Sequence, residues 1–358
     1  MDDKRMIDNT IEAPRERRVT LDSSIPLAEA VDMAQGEKAV AIDCGVMSMD
    51  SRFLNELMKA LRAKGVESFD LLNVCGQNLI GTGVPGPARI SVYGLMGNHS
   101  AAFVDKIELN TYPTYFPNGV WCPGDAQVAI GNTSNPTEMN IGGSVDDLFA
   151  SYCPSGLFRV AGQGGNRCGL RAGAGIPHVW REIDYSQFAA FTAMDIREDL
   201  LYKYQRRKAR INKVGFARFL EEYRKKVEDR QPPVIVFGRR VRDYFMEYAQ
   251  GTIGVILNVY DVMSPAGYYI CSGMTAGKAY IRGIIDDEQL GVKVAKSPIN
   301  DQDREFLSAQ IKGFYKTFDK RLMQSYQQRL DRMMESFDKD AGHLLSQFVK
   351  IVPAEVEG

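Results

Sequence analysis

Histidine is scarce: His99, His178 and His343 are the three in 358 residues. His99 has no ligand at helical or hairpin spacing and His178 follows Pro177 in a glycine-rich corner, so no zinc site or histidine general base stands out, and each histidine reads as a structural or surface residue. There is also no Gly-x-Ser-x-Gly elbow to present a nucleophile. The six cysteines, Cys44, Cys75, Cys122, Cys153, Cys168 and Cys271, are scattered without a Cys-x-x-Cys pair. In a chain this long they read as reduced, mostly buried thiols of a cytoplasmic protein. Neither sign of charge prevails, with 44 basic against 45 acidic residues and a net charge of −1. No global field therefore selects a nucleic acid or a membrane. No apolar run reaches the roughly 18 residues of a membrane span, and Met1-Asp2-Asp3-Lys4-Arg5 leads into a charged stretch rather than a signal peptide.

Two glycine-rich stretches come close to nucleotide motifs and miss. Gly273-Met274-Thr275-Ala276-Gly277-Lys278-Ala279 has one residue too few between its glycines for a phosphate loop, and Ala279 stands where a magnesium-binding hydroxyl is needed. Gly162-Gln163-Gly164-Gly165-Asn166-Arg167 fails the dinucleotide fingerprint because Arg167 holds the third glycine position. Both read as corner glycines. Asp146-Asp147 and Asp286-Asp287-Glu288 read as solvated turns rather than acid/base pairs. No catalytic, cofactor-binding or metal-ligating residue is assigned, and no cofactor is expected on this chain.

What the sequence does contain is a recurring unit. Val234-Ile235-Val236-Phe237-Gly238 is a short β-branched strand ending in a corner. Gly251-Thr252-Ile253-Gly254-Val255-Ile256-Leu257-Asn258 and the stretch from Gly277 to Gly283 repeat the pattern. Glycine and asparagine supply left-handed backbone cheaply, so they mark sharp turns. Strand–corner units about every 20 residues suggest a solenoid, in which each turn of the chain buries its apolar face on the next. Parallel strands are expected, with Ile90, Val92, Val128, Ile130, Val160, Val236, Val255 and Ile281 in the core.

Around this repeat three further regions are expected. Residues 1–65 form an arm and a small α/β cap: a helix near residues 26–35, a strand at 39–43, and a helix at 51–63 with Asp50 or Ser51 as N-cap and Gly65 as its end. Residues 66–290 hold the repeat, interrupted at about 184–231 by a basic helical insertion carrying Arg206, Arg207, Lys208, Arg210, Lys225 and Lys226. This insertion is placed at an interface with an acidic partner. Residues 291–358 are helical. Phe306, Leu307, Ile311, Phe314, Phe318, Leu322, Tyr326, Leu330 and Met333 recur at steps of three and four, which predicts one long amphipathic helix or two packed on the repeat. Residues 348–353 are expected to add an edge strand.

The order of these pieces resembles a known family. The matching pieces are Gly76-Gln77-Asn78-Leu79-Ile80-Gly81-Thr82-Gly83, Ile90-Ser91-Val92-Tyr93-Gly94 with Gly97-Asn98, Gly124 to Gly131-Asn132, Asp243-Tyr244-Phe245-Met246-Glu247-Tyr248 and Gly273 to Gly283. In that succession the chain resembles the C-terminal GXGXG domain of the glutamate synthase large subunit, in its separate archaeal-type form. The superfamily also includes one of the chains of formylmethanofuran dehydrogenase. The resemblance is to a divergent member, since Ala276-Gly277 and Pro87-Ala88 stand where the family has paired glycines.

The resemblance implies a mainly β fold, a right-handed parallel β-helix. It implies a non-catalytic scaffold subunit of a glutamate-synthase-like oxidoreductase/amidotransferase complex. FMN and an iron–sulfur cluster would lie on a flavin/iron–sulfur partner, and glutaminase chemistry on an amidotransferase-like partner. A second reading is a stand-alone assembly protein that forms homo-oligomers or holds an unrelated enzyme. No nucleic-acid or membrane partner is expected.

Overall fold

The computed structural model describes residues 19–45, 49–101, 106–115, 121–122, 124–126, 137–151, 153, 155–173, 232–319 and 321–354. Its centre is a mostly parallel sheet of twelve strands. These are β1 (Val19–Asp22), β2 (Ala39–Asp43), β3 (Ser68–Cys75), β4 (Ala88–Leu95), β5 (Ile107–Tyr112), β8 (Glu138–Ile141), β9 (Leu157–Val160), β10 (Val234–Phe237), β11 (Gln250–Ile256), β12 (Ala276–Arg282), β14 (Phe348–Pro353) and β13 (Val294–Ser297), in spatial order. The two-residue strands β6 (Thr114–Tyr115) and β7 (Trp121–Cys122) form a separate hairpin. Within the twelve-stranded sheet, from β1 to β12 each strand pairs in parallel with the sheet strand laid down before it. Parallel neighbours need a long crossover to bring the chain back. Among the described residues, the crossovers between β3 and β12 contain no helix; they are built of turns.

Strand register aligns one apolar column through the sheet. Val40, Phe69, Ile90, Leu109, Met139, Phe158 and Ile235 are cross-strand partners in succession and all are fully buried. Two residues further along, Leu71, Val92, Thr111, Ile141, Val160, Phe237, Ile256 and Ile281 form a second. The turn segments close over this face with Ile80, Ala101, Phe149, Ala150, Cys168, Phe245, Met246 and Cys271, completing one continuous core. Phe149 meets Phe158 and Phe237 edge-to-face, and Phe237 meets Phe245 likewise.

The turn segments have an unusual backbone. Left-handed residues alternate along them: Leu79, Gly81 and Gly83; His99 and Ala101; Leu148 and Ala150; Arg167, Gly169, Arg171 and Gly173; Tyr244, Met246 and Tyr248; Tyr269, Cys271 and Gly273. Their φ values lie between 51 and 80°. The N–H groups of successive left-handed residues point to opposite neighbours. Arg167 donates to the Asp243 carbonyl in the following segment and Gly169 to Phe149 in the preceding one. Arg171 then donates to Glu247 and Gly173 to Cys153, all at 2.7–2.9 Å. Tyr244, Met246 and Tyr248 continue the alternation, to Tyr268, Cys168 and Ser272. Each turn is thus hydrogen-bonded to both its neighbours, which satisfies backbone groups that ordinary loops leave to water.

The opposite face of the sheet changes character along its length. On β5, β8 and β9 it is polar: Asn140 donates to Asn110 at 2.9 Å, and Arg159 donates to Glu138 at 2.6 Å and to Asn140 at 3.2 Å. On β10, β11 and β12 it turns apolar, with Val236 and Val255 in register beside Tyr280. A second hydrophobic cluster forms there against three helices, α3 (Asp301–Phe318), α4 (Gln324–Lys339) and α5 (Ala341–Ser346). The expected stripe supplies it through Leu307, Ile311, Phe314, Phe318, Leu322, Tyr326, Leu330 and Met333. Ile90, Val92, Val160 and Ile281 lie in the first core, while Val236 and Val255 are buried in this second one. Val128 and Ile130 lie outside the described residues, as does the segment 184–231.

Near the N-terminal end, α1 (Leu27–Met33) and α2 (Ser51–Ala63) form where the spacing places them, and the Asp50 side chain caps α2 by accepting from the N–H groups of Arg52 and Phe53. The sheet does not stop at residues 65/66, because β2 pairs directly with β3. It does not stop at 290/291 either, since residues beyond it supply β13 and β14. The expectation of an edge strand at the C-terminus is corrected here. β14 runs antiparallel to β12 and is covered by β13, which forms the edge. The reason is local: α5 delivers the chain at the end of β12, where Gln347 accepts from the Gly283 N–H, so β14 can only run back.

Gly94 tests the closeness of the packing. Its φ is +140°, and a Cβ there would lie 2.0 Å from the Val74 carbonyl oxygen on the neighbouring strand. Gly94→Ala should therefore cost about 2–3 kcal/mol in chemical denaturation. Gly36→Ala, at φ +86° with nothing within 4 Å, should cost about 1 kcal/mol. Equal losses at the two positions would contradict the close approach of β3 and β4.

Candidate functional site

Side chains on the turn segments fall into columns, because equivalent positions stack from one segment to the next. The first left-handed position of four segments carries Leu148, Arg167, Tyr244 and Tyr269, which point outward or lie at the surface. The next carries Ala150, Gly169, Met246 and Cys271, which face the core. The third carries Arg171, Tyr248 and Gly273. In the first column the Arg167 guanidinium lies 5.2 Å from the Tyr244 ring centre, and Tyr244 stacks on Tyr269 with centres 4.9 Å apart and planes 15° from parallel. In the third, Arg171 lies 5.8 Å from the Tyr248 ring centre. Arg167 also pairs with buried Glu247 at 3.2 Å, which ties the two columns together. Stacked rings and guanidiniums of this kind each contribute on the order of 1 kcal/mol.

A cleft of about 240 Å³ lies beside these columns, lined by Asp125, Ser144, Asp146, Gln163, Gly165 and Arg242 among others. Its floor is a run of parallel bridges, Met96 to Ala126 to Val145. Along its wall the side chains are linked repeat to repeat. Asp125 accepts from the Ser144 N–H at 2.6 Å, Ser144 Oγ accepts from the Gln163 N–H at 3.3 Å, and Gln163 Oε1 accepts from Arg240 Nε at 3.2 Å. The first two links join residues 19 apart, the length of one repeat. Burial raises the Asp125 carboxyl above its usual range, against the lowering effect of the Ser144 N–H. The groups that line the cleft thus serve mainly to bind one repeat to the next.

Among the described residues, the most deeply buried charge lies under α3. Asp303 is 1% exposed and sits in the helix's first turn, where it forms a capping box with Asn300. Its carboxylate also accepts from Lys350 Nζ at 2.7 Å, Lys278 Nζ at 3.1 Å and the Tyr280 hydroxyl at 2.5 Å. Lys278 and Tyr280 come from β12 and Lys350 from β14, so one carboxylate clips the helix to two strands. Burial works to raise its pKa, but the donors from Lys350, Tyr280, Asn300 and Lys278 together outweigh it and hold the carboxyl well below the usual range. The Tyr280 hydroxyl is pushed up, first by burial and then by donating to Asp303.

The residues singled out in the sequence fall into structural roles. Lys278 of the near-miss phosphate loop is committed to Asp303, and Gly273 lies against the Tyr248 ring. Arg167, which broke the dinucleotide fingerprint, begins the outer column. Asp147 accepts from the Asn166 N–H at 2.6 Å, and Asp286 forms a capping box with Gln289. His99 holds a left-handed position and His343 lies in the first turn of α5, while His178 is outside the described residues. Burial pushes the thiols of Cys44 and Cys168 up to about 12 and raises those of Cys122, Cys153 and Cys271, which makes them poor nucleophiles. Sequence reasoning misses the Arg–Tyr columns because it recognises corners by glycine. The trace left in the sequence is the glycines that share their register, Gly169 and Gly173 in one segment and Gly273 in another; the segment of Tyr244 and Tyr248 has none.

No family model matches the chain. Over 91 residues it is 36% identical to a protein named Uncharacterized protein MJ1350, from Methanocaldococcus jannaschii; the match covers 24% of this chain and 35% of that protein, so it spans about a third of the relative's length.

The Asp303 clip has a defined pH signature. A carboxyl held below its unfolded value stabilises the fold above pH of about 4, and that stabilisation is lost as pH falls toward its folded value. Tyr280, raised above its unfolded value, has the opposite sense: its share persists below pH of about 10 and is lost as pH climbs. Asp303→Ala leaves Lys350 buried without a counter-charge and should cost about 3–5 kcal/mol in denaturant unfolding at pH 7. It should also flatten the acid limb of the stability–pH curve. An unchanged acid limb would show that Asp303 is not the group that titrates.

Proposed function

We propose that the chain is a right-handed parallel β-helix of the GXGXG type and that it serves as a non-catalytic scaffold subunit of a glutamate-synthase-like oxidoreductase/amidotransferase complex. The observation that carries this reading is the alternating left-handed backbone. Glycine at every second position is the residue choice such a backbone asks for. Gly81-Thr82-Gly83 retains it, and Gly169-Leu170-Arg171-Ala172-Gly173 keeps glycine at two of its left-handed positions on either side of Arg171. Support for the helix comes from the sheet, in which strands follow one another in chain order with turns as crossovers. The right hand follows from the strong preference of parallel crossovers for it. Support for a scaffold rather than an active centre is the use to which polar groups are put. Asp125, Asp147, Asp303 and Arg159 hold neighbouring repeats or helices together. The partners in this reading are a flavin/iron–sulfur chain, which would carry FMN and the cluster, and an amidotransferase-like chain. The step from fold to complex rests on the family resemblance.

The test is purification of the tagged full chain from its native source. Co-purifying chains with FMN and iron in near-stoichiometric amounts are expected, together with a colourless scaffold once they are stripped away. A chain that elutes alone or as a homo-oligomer would favour the stand-alone assembly reading. FMN or iron retained by the isolated chain would overturn the scaffold role.

A further inference from the structure

We infer that the Arg–Tyr columns on the turn segments are the docking surface for an acidic face of a partner protein. This rests on the scaffold reading for the existence of a partner, but the surface is argued on its own geometry. Tyr248, Tyr268 and Tyr269 are 47, 56 and 50% exposed, and Tyr269 stacks on Tyr244 of the preceding segment, so two successive segments present tyrosines at the surface. Arg167, Arg171, Tyr244, Tyr248 and Tyr269 all occupy left-handed positions, where a large side chain is strained and glycine is not. Buried left-handed residues such as Met246 and Cys271 fill the core in return. The exposed ones stack on one another instead, at about 1 kcal/mol a contact, which only offsets the strain of about 1–2 kcal/mol that each carries, and strain held at a surface points to use there.

The chemistry of this surface selects the partner. Exposed Tyr and Arg together are the composition of interface centres and of the residues that carry their binding energy. The carboxylates on this face are mostly tied into the fold: Asp147 to the Asn166 N–H, Asp243 to the Tyr268 N–H at 2.9 Å, and Glu247 to Arg167. Asp146 remains at the cleft. The guanidiniums of Arg171 and Arg242 have no carboxylate among the described residues, and Arg240 has only the neutral Gln163. Planar guanidiniums that lack an anion in the chain fit carboxylates offered by another. A nucleic-acid strand would bind through base stacking on free aromatic faces. Two of the four rings are already covered here: Tyr244 lies between Arg167 and Tyr269, and Arg171 lies over Tyr248.

The test places a photo-cross-linking p-benzoylphenylalanine at Tyr268 in the tagged full chain, expressed in its native source, with the same probe at exposed Met33 on α1 as control. Cross-links from position 268 to one protein are expected, to a peptide of net negative charge, falling at least about tenfold in 0.5 M salt. Two further variants separate docking from folding. Tyr248→Gly with Tyr269→Gly relieves left-handed strain, so the chain should melt within about 5 °C of its parent. It should nonetheless lose its partner at least tenfold in co-elution. Arg171→Glu with Arg242→Glu should do the same with every tyrosine in place, although it removes the guanidinium over Tyr248. Cross-links to nucleic acid, to a second copy of the chain, to a basic peptide, or equally from both probes would overturn the inference, as would full partner retention in both variants. A cross-linked acidic partner in a preparation lacking flavin and iron–sulfur would leave the docking surface standing and remove the proposed complex. Flavin and iron–sulfur chains that co-purify without cross-links at position 268 would do the reverse.

Discussion

The backbone hydrogen bonds between successive turn segments are the constraint on which the rest of the structure depends. A parallel strand ladder satisfies its own N–H and C=O groups, but the crossovers that return the chain must find partners elsewhere or stay wet. Here they find them in each other. Left-handed residues at every second position send N–H groups alternately forward, as from Arg167 to Asp243, and back, as from Gly169 to Phe149. A non-glycine residue in this conformation costs about 1–2 kcal/mol. Each bond returns a net gain of about 1 kcal/mol, and leaving its groups buried and unpaired would cost more. The arrangement also fixes a repeat of 19 residues at several places, because Asp125, Ser144 and Asp147 reach the next segment at that spacing.

From this constraint the distribution of side chains follows. Alternate left-handed positions face alternately out and in, so Met246 and Cys271 join the core while Tyr244 and Tyr269 form a column outside. The sheet's other face is free to vary. Where it is apolar, at β10 to β12, it takes the helices; where it is polar, Asn110, Asn140 and Arg159 hydrogen-bond along it. The helices are held by more than apolar contact, since Asp303 brings α3 onto Lys278, Tyr280 and Lys350. Such a buried pair contributes position as much as energy, because desolvation offsets much of the Coulomb attraction.

The sequence exposed the parts of this fold that follow from local chemistry. Asp50 announces α2, the spacing from Leu307 to Met333 announces the helices, and Ile90, Val92 and Ile281 alternate as strand residues should. What it hid depends on contacts between distant residues. Nothing local in Asp303 indicates that Lys350, 47 residues away, will meet it. Val236 and Val255 read as solenoid core, yet they serve the second cluster, because the face of the strand they occupy is decided by what covers it. The Arg–Tyr columns were hidden for a different reason. Glycine marks left-handed backbone by permitting it, whereas Arg167, Tyr244 and Tyr248 are forced into it by neighbouring segments, and forced positions carry no compositional flag.

If the turn segments are a hydrogen-bonded ladder as firm as the strands, amide hydrogen exchange will show it most directly. The N–H groups of Arg167, Arg171, Tyr244 and Tyr248 should exchange as slowly as those of Val236 and Val255, although several of their side chains lie in solvent. Exchange at the rate of open turns, with protection confined to the strands, would contradict it.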